Sequence, residues 1–198
     1  MHAFYASLQY NKINPELNFT IVMALLKLIE KEEATGKVAE IYQRMTAAMG
    51  FVPNAFKLYS PSEHLLETVT GHLGYYMRHK TLSGKLLAFI RLLVSEQEKC
   101  AYCVGVNSRI LLQYGVLPDA LAGIKADPST APLEERETAL LLFVLKMVKD
   151  SNSIVAEDLD KLRALGWSDG EILEGAYHGA NQVAGDMIFN AFKLTPDM

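Results

Sequence analysis

Two cysteines, Cys100 and Cys103, stand two residues apart in "EKCAYCVGVNSRI", residues 98–110, and are the only ones in the chain. At the start of a helix this spacing brings two thiols close enough to bridge, and the positive end of the helix dipole lowers a thiol pKa. Such a pair can cycle between dithiol and disulfide. A thiolate that attacks a peroxide becomes a sulfenic acid, and a neighbouring thiol condenses with it before further oxidation. Two other readings stay open. Cysteine is a common core residue, and a CxxC can be half of a metal site. Zinc would need two further ligands, but His2, His64, His72, His79 and His178 are scattered, with no HxxxH spacing. The balance favours a redox pair with no metal and no organic cofactor.

The neighbours of the pair sort by what they can do with a proton. Asn107 is four residues after Cys103, on the same helix face, where its amide can hydrogen-bond a thiolate or a sulfenic acid but cannot transfer a proton near neutral pH. Glu96, four residues before Cys100, is the candidate acid–base group; Glu98 is nearer, and both also read as a solvated helix end. His72, Tyr102, His178 and Asn181 are further candidates, each with a competing reading as a packing or surface residue.

The elements that must position these residues read as helices. "TGKVAEIYQRMTAAMG" has a Thr35 cap, apolar residues at 38, 41, 42 and 45, and Gly50 as a stop. Ser62 caps "SEHLLETVTGHLGYYMRHK" and Ser83 caps "LSGKLLAFIRLLVSE". A helix over 103–114 ends at Tyr114-Gly115, and Pro132 is expected near the first turn of "LEERETALLLFVLKMVKD". "VAEDLDKLRALG" and "SDGEILEGAYHGANQVAGDMIFNAF" complete the set, and no convincing strand run appears. A weak repeat has an offset of 51: Leu82, Ala88, Val104, Leu111 and Gly115 recur as Leu133, Ala139, Val155, Leu162 and Gly166. It suggests copies over 82–124 and 133–175, with only the first carrying the cysteines. The expected organisation is an N-terminal extension, 1–24, and a single helical domain, 25–198.

Composition narrows the function. A chain of 198 residues buries roughly 70% of its extended surface on folding and needs no disulfide for stability. The net charge is −4 with no basic stripe, which argues against nucleic acid as a partner. No apolar run approaches the length of a membrane span and no segment reads as a signal peptide. The expectation is a cytoplasmic protein with no membrane partner, and in that compartment a CxxC is more often catalytic or metal-binding than structural.

Four stretches, "TGKVAEIYQRM", "MGFVPNAFKLYSPSEHLLE", "LSGKLLAFIRLLVSEQEKCAYCVGVN" and "LRALGWSDGEILEGA", resemble the AhpD-like alkylhydroperoxidase and carboxymuconolactone decarboxylase family over about 35–185. The resemblance implies an all-α fold and, in its redox branch, a peroxidatic CxxC. There the second cysteine, here Cys103, attacks the peroxide, while the first, Cys100, closes the disulfide and meets the reductant. The family also places a Glu twelve residues before the first cysteine and a His four after the second, as a proton relay. Those positions here are Ala88 and Asn107. The decarboxylase branch fits worse, because its members do not depend on a CxxC.

The resulting expectation is a thiol–disulfide oxidoreductase acting on peroxide or a small disulfide, with a thiol reductant of unknown identity. The alternative is a non-enzymatic redox-responsive or small-molecule-binding protein that has lost the relay. A homo-oligomer is expected by resemblance, with residues 1–24, which carry Phe4, Tyr5, Tyr10 and Phe19, packing on a neighbouring subunit.

Overall fold

Side-chain caps and left-handed glycines set most of the helix boundaries. The computed structural model describes residues 24–197, so the extension up to Met23 lies outside the described residues. Among the described residues nine α-helices follow in order: α1 Gly36–Met49, α2 Asn54–Lys57, α3 Glu63–Tyr76, α4 Gly84–Gln97, α5 Ala101–Gln113, α6 Pro118–Ala126, α7 Glu135–Lys149, α8 Ala156–Ala164 and α9 Asp169–Ala191. No strand occurs among the described residues. The hydroxyls of Ser62, Ser83 and Ser168 accept from the N–H groups of Leu65, Leu86 and Glu171, which satisfies donors that a helix start leaves free. Gly50 ends α1 at φ 85° with its N–H on the Thr46 carbonyl. Pro132 is not in the first turn of α7; that helix starts at Glu135, capped by Glu134, and the proline lies in the preceding turn.

α4 is the centre of the molecule. From Leu86 to Ser95 every residue except Arg91 is buried, as expected of a helix enclosed on all sides. It packs on α5, α7 and α9, and the main apolar core forms along these contacts. The offset of 51 also spaces the elements. α4 and α7 start at 84 and 135, α5 and α8 end at 113 and 164, and α6 and α9 start at 118 and 169. Gly115 and Gly166 hold the same left-handed turn, φ 78° and 86°. The two sets diverge at one place. α5 begins at Ala101, immediately after Cys100, whereas α8 begins at Ala156, behind a 3₁₀ turn at Ser151–Ser153.

α9 lies close along α7 because glycines line the contact. A Cβ on Gly175 would reach 3.2 Å from Leu140 Cδ2, and one on Gly179 would overlap Val144 Cγ1. Ile172, Gly175, Gly179 and Asp186 recur at helical spacing on this buried face. A separate small cluster closes the other end, with Ala24, Leu28, Leu58, Tyr102 and Leu194 packed around the two cysteines. The C-terminal tail ties this end together. Asp197 accepts from Tyr102 Oη at 2.7 Å and from the Asn54 N–H at 2.7 Å, while the Asn54 side chain donates to the Thr195 and Pro196 carbonyls.

Candidate active site

The cysteines stand at the junction of α4 and α5, a turn of only a few residues. Glu98 caps α4, Lys99 adopts the left-handed conformation at φ 56°, and the Cys100 N–H returns to the Ser95 carbonyl at 3.0 Å. A left-handed lysine costs about 1 kcal/mol, which the closure of both helices around it offsets. Cys100 thereby becomes the N-cap of α5 and Cys103 the third residue of that helix. The Cys100 sulfur lies within 4.8 Å of the Cys103 sulfur and near the Cys103 N–H, without closing a capping hydrogen bond to it. Both cysteines are free thiols and buried.

The group that completes the site comes from the far end of the chain. Asp186, on α9, has no solvent exposure. One of its carboxylate oxygens and the two sulfurs all lie within 4.8 Å of one another. Ser95, on the last turn of α4, donates to Asp186 at 2.9 Å to Oδ2, and Gln182, one turn earlier on α9, donates at 2.9 Å to Oδ1. Gln182 also donates to Ser95 Oγ at 3.1 Å, which closes the network. Ser95 thus holds the acid through its hydroxyl and the Cys100 backbone through its carbonyl.

Electrostatics separates the two thiols. The hydrogen bond from Cys103 holds Cys100 below the usual thiol range; the Cys103 N–H adds to this, while burial and Asp186 oppose it. The same thiol–thiol bond, with burial and the Asp186 charge behind it, pushes Cys103 far up. Burial raises the Asp186 carboxyl, against hydrogen bonds from Cys103, Gln182, Ser95 and Cys100. The arrangement therefore favours a thiolate on Cys100 and a proton on Cys103. As donors for a metal, the three groups fall one short of a closed structural zinc site, and no fourth His, Cys, Asp or Glu joins them among the described residues.

Access is one-sided. Cys100 lines an open cleft of about 300 Å³ whose walls include Tyr102, Phe189 and Leu194. Lys99 and Lys193 stand in its rim. Lys193 closes α9 in the same left-handed conformation, φ 56°, so both lysines mark helix C-termini that end at the cleft. Cys103 is not among the lining residues.

The remaining candidates take other positions. Asn107 donates to the Cys103 carbonyl at 2.9 Å and accepts from Arg91 Nε at 2.8 Å, so its amide holds the helix and the arginine rather than a sulfur. Arg91 Nη1 reaches His178 Nε2 at 3.2 Å. That bond makes Nε2 an acceptor and the imidazole neutral, and burial beside Arg91 lowers the His178 pKa to about 3. Glu96 turns away from the pair and is ion-paired with Lys125 of α6. One residue along a helix rotates a side chain by about 100°, so Ser95 faces the thiols and Glu96 does not. Tyr102 is a clasp: its hydroxyl binds Asp197 and accepts from the Ala55 N–H at 3.3 Å. The Glu98 carbonyl accepts from Asn190 at 3.0 Å. His72 and Asn181 pair with each other at 3.3 Å, beside His178. Ala88 lies in the main core.

No protein-family model and no curated protein matches the chain. Solved structures do, among them these two. One is an uncharacterized peroxidase-related protein from Silicibacter sp. TM1040, with a TM-score of 0.73 and 23% identity over 89% of this chain and 90% of that one. The other, from Ralstonia eutropha JMP134, is described as an alkylhydroperoxidase AhpD core and uncharacterized peroxidase-related protein; its TM-score is 0.78, with 21% identity over 88% of this chain and 93% of that one. The chain has the AhpD-like all-α fold that its sequence motifs imply.

Proposed function

We propose that on this fold the chain is a thiol–disulfide oxidoreductase of the peroxidase-related kind, working through the Cys100–Cys103 pair. The observation that carries the reading is two free thiols and a buried carboxylate gathered within 4.8 Å, with one thiol on the wall of a cleft. Two such thiols can supply the two electrons that reduce a peroxide to an alcohol and water, or a small disulfide to two thiols, leaving a Cys100–Cys103 disulfide. A thiol reductant then restores the pair. The test is to reduce the protein, remove the reductant, and add either hydrogen peroxide or a neutral small disulfide. Loss of both protein thiols with stoichiometric substrate reduction supports the reading. Thiols that persist against both oxidants would refute it.

One observation favours a second reading, a redox-responsive protein without turnover. Both thiols are almost entirely covered, and Ala88 and Asn107 carry no proton-transfer group at the places where the resemblance implies one. A disulfide that forms and opens once, with no multiple turnover under excess dithiothreitol, would select it. We further read the protein as cytoplasmic, where thiol reductants are abundant, and as a homo-oligomer. Light scattering of the purified chain decides the latter. No described helix is long and apolar enough to cross a membrane.

A further inference from the structure

We infer that Cys100, rather than Cys103, is the thiol that attacks a substrate disulfide, and that Cys103 resolves the mixed disulfide by giving its proton to Asp186. This rests on the reading of the pair as a redox centre; the resemblance implies attack on peroxide by Cys103 and exchange with the reductant at Cys100, whereas the inference concerns a disulfide substrate and adds Asp186 as the base.

Three observations support it. Cys100 lines the cleft and Cys103 does not, so although both are almost covered, 1% and 5% exposed, a bulky sulfur electrophile that enters the cleft meets Cys100. Cys100 is the N-cap of α5, where its sulfur faces the helix start and the Cys103 N–H, the local field that favours a thiolate. Cys103 lies against Asp186, as Cys100 does, and that carboxylate is fully buried and fixed by Ser95 and Gln182. A buried carboxylate held within 4.8 Å of both sulfurs, with Cys103 the foremost thiol bonded to it, is placed to take the Cys103 proton. Arg91 and Tyr59 also act on Cys103 electrostatically, from α4 and from the turn after α2; Tyr59, pushed up to about 12 by its own burial, stays protonated.

The steps balance. The Cys100 thiolate attacks one sulfur of a substrate R–S–S–R; that S–S bond breaks, the first RS⁻ leaves through the cleft and takes a proton from water, and Cys100–S–S–R forms. The Cys103 thiol then passes its proton to Asp186 as its sulfur attacks the Cys100 sulfur. The Cys100–SR bond breaks, the second RS⁻ leaves with the proton from Asp186, and the Cys100–Cys103 disulfide remains. Two electrons have moved from the dithiol to the substrate.

The experiment uses the reduced full chain and 2,2′-dithiodipyridine, a neutral aromatic disulfide, with release of pyridinethione followed by absorbance. The wild type releases two equivalents. Cys103→Ser releases one at a rate within about threefold of wild type and keeps the adduct, which mass spectrometry maps to Cys100. Cys100→Ser reacts at least about 100-fold more slowly. Asp186→Asn slows the second release by about 10²-fold relative to the first, within the usual range for losing a general base. In the wild type the second release rises with pH and then levels off as the carboxylate ionises. A rate that keeps climbing tenfold per pH unit to pH 9 overturns the role of Asp186, and this arm needs no variant. If Cys100→Ser reacts faster than Cys103→Ser, Cys103 is the thiol that attacks the disulfide and the inference falls while the dithiol reading stands. If the wild type releases nothing, both fall.

Discussion

At the residue scale, the functional difference between Glu96 and Asp186 is one of direction. Glu96 is four residues before Cys100 in sequence, yet its carboxylate is spent on Lys125. Glu96→Gln is therefore expected to leave pyridinethione release within about twofold of wild type. The change removes one partly exposed ion pair, which contributes about 0–1 kcal/mol, so a urea melt should move little. A tenfold loss of thiol reactivity would mean that Glu96 acts on the pair after all. Tyr102 makes the opposite case. Its hydroxyl holds Asp197 in a part-buried clasp, so Tyr102→Phe should cost about 1–3 kcal/mol of stability in the same melt, the range for a hydrogen bond to a charged group. The sequence made the cysteine pair legible because two sulfurs two residues apart are a local pattern. It did not make Asp186 legible, because spacing arguments see one helix at a time and the acid arrives from another. A weak signal does exist. Counting back by helical turns from Asp186 reaches Gln182, Gly179, Gly175 and Ile172, a small and apolar face on which a lone carboxylate has no ordinary reason to be.

At the scale of elements, the helix ends were readable because each has a local chemical cause. Ser62, Ser83 and Ser168 supply acceptors, and Gly50, Gly115 and Gly166 supply left-handed turns. Lys99 and Lys193 do the work of glycine with a side chain attached, which composition rules do not anticipate. Pro132 misled because proline suits both a first helical turn and the bend before one. The approach of α9 to α7 gives a sharper test. Gly179→Ala adds a methyl that overlaps Val144 Cγ1, a branched side chain with little freedom to move. A Gly-to-Ala change in a helix interior ordinarily gains about 1 kcal/mol. Here overpacking of about 1–3 kcal/mol opposes it, and the expected net effect is destabilising, read as a lower thermal midpoint. α9 also carries Asp186, so any displacement should slow the second pyridinethione release more than the first. A stabilised Gly179→Ala chain would show that the two helices can part at little cost.

Across the whole molecule, one buried base ties stability to pH. His178 lies between α3, α4 and α9, facing Arg91, His72 and His79, and its folded pKa is lowered from 6.5 to about 3. The folded state holds it neutral, whereas the unfolded chain binds a proton below about 6.5. The unfolded state therefore carries more protons in that window, and its contribution to stability is intact above pH 6.5 and lost as pH falls toward 3. The slope from this one group approaches 1.4 kcal/mol per pH unit, about 3 kcal/mol by pH 4. Comparing urea melts of the wild type and His178→Gln between pH 7 and pH 4 isolates it, and parallel pH profiles would remove His178 as the source. The position of Asp186 has a different consequence, which concerns synthesis. Both cysteines are joined to the growing chain some eighty residues before the codon for residue 186 is read. Until α9 folds back onto α4, the nascent chain carries two thiols without their base and without the wall that covers them. Long-range closure of this kind is slow compared with local helix formation. The site is complete only when translation has delivered the last helix, so a chain stalled or clipped before that point carries the cysteines without Asp186 beside them.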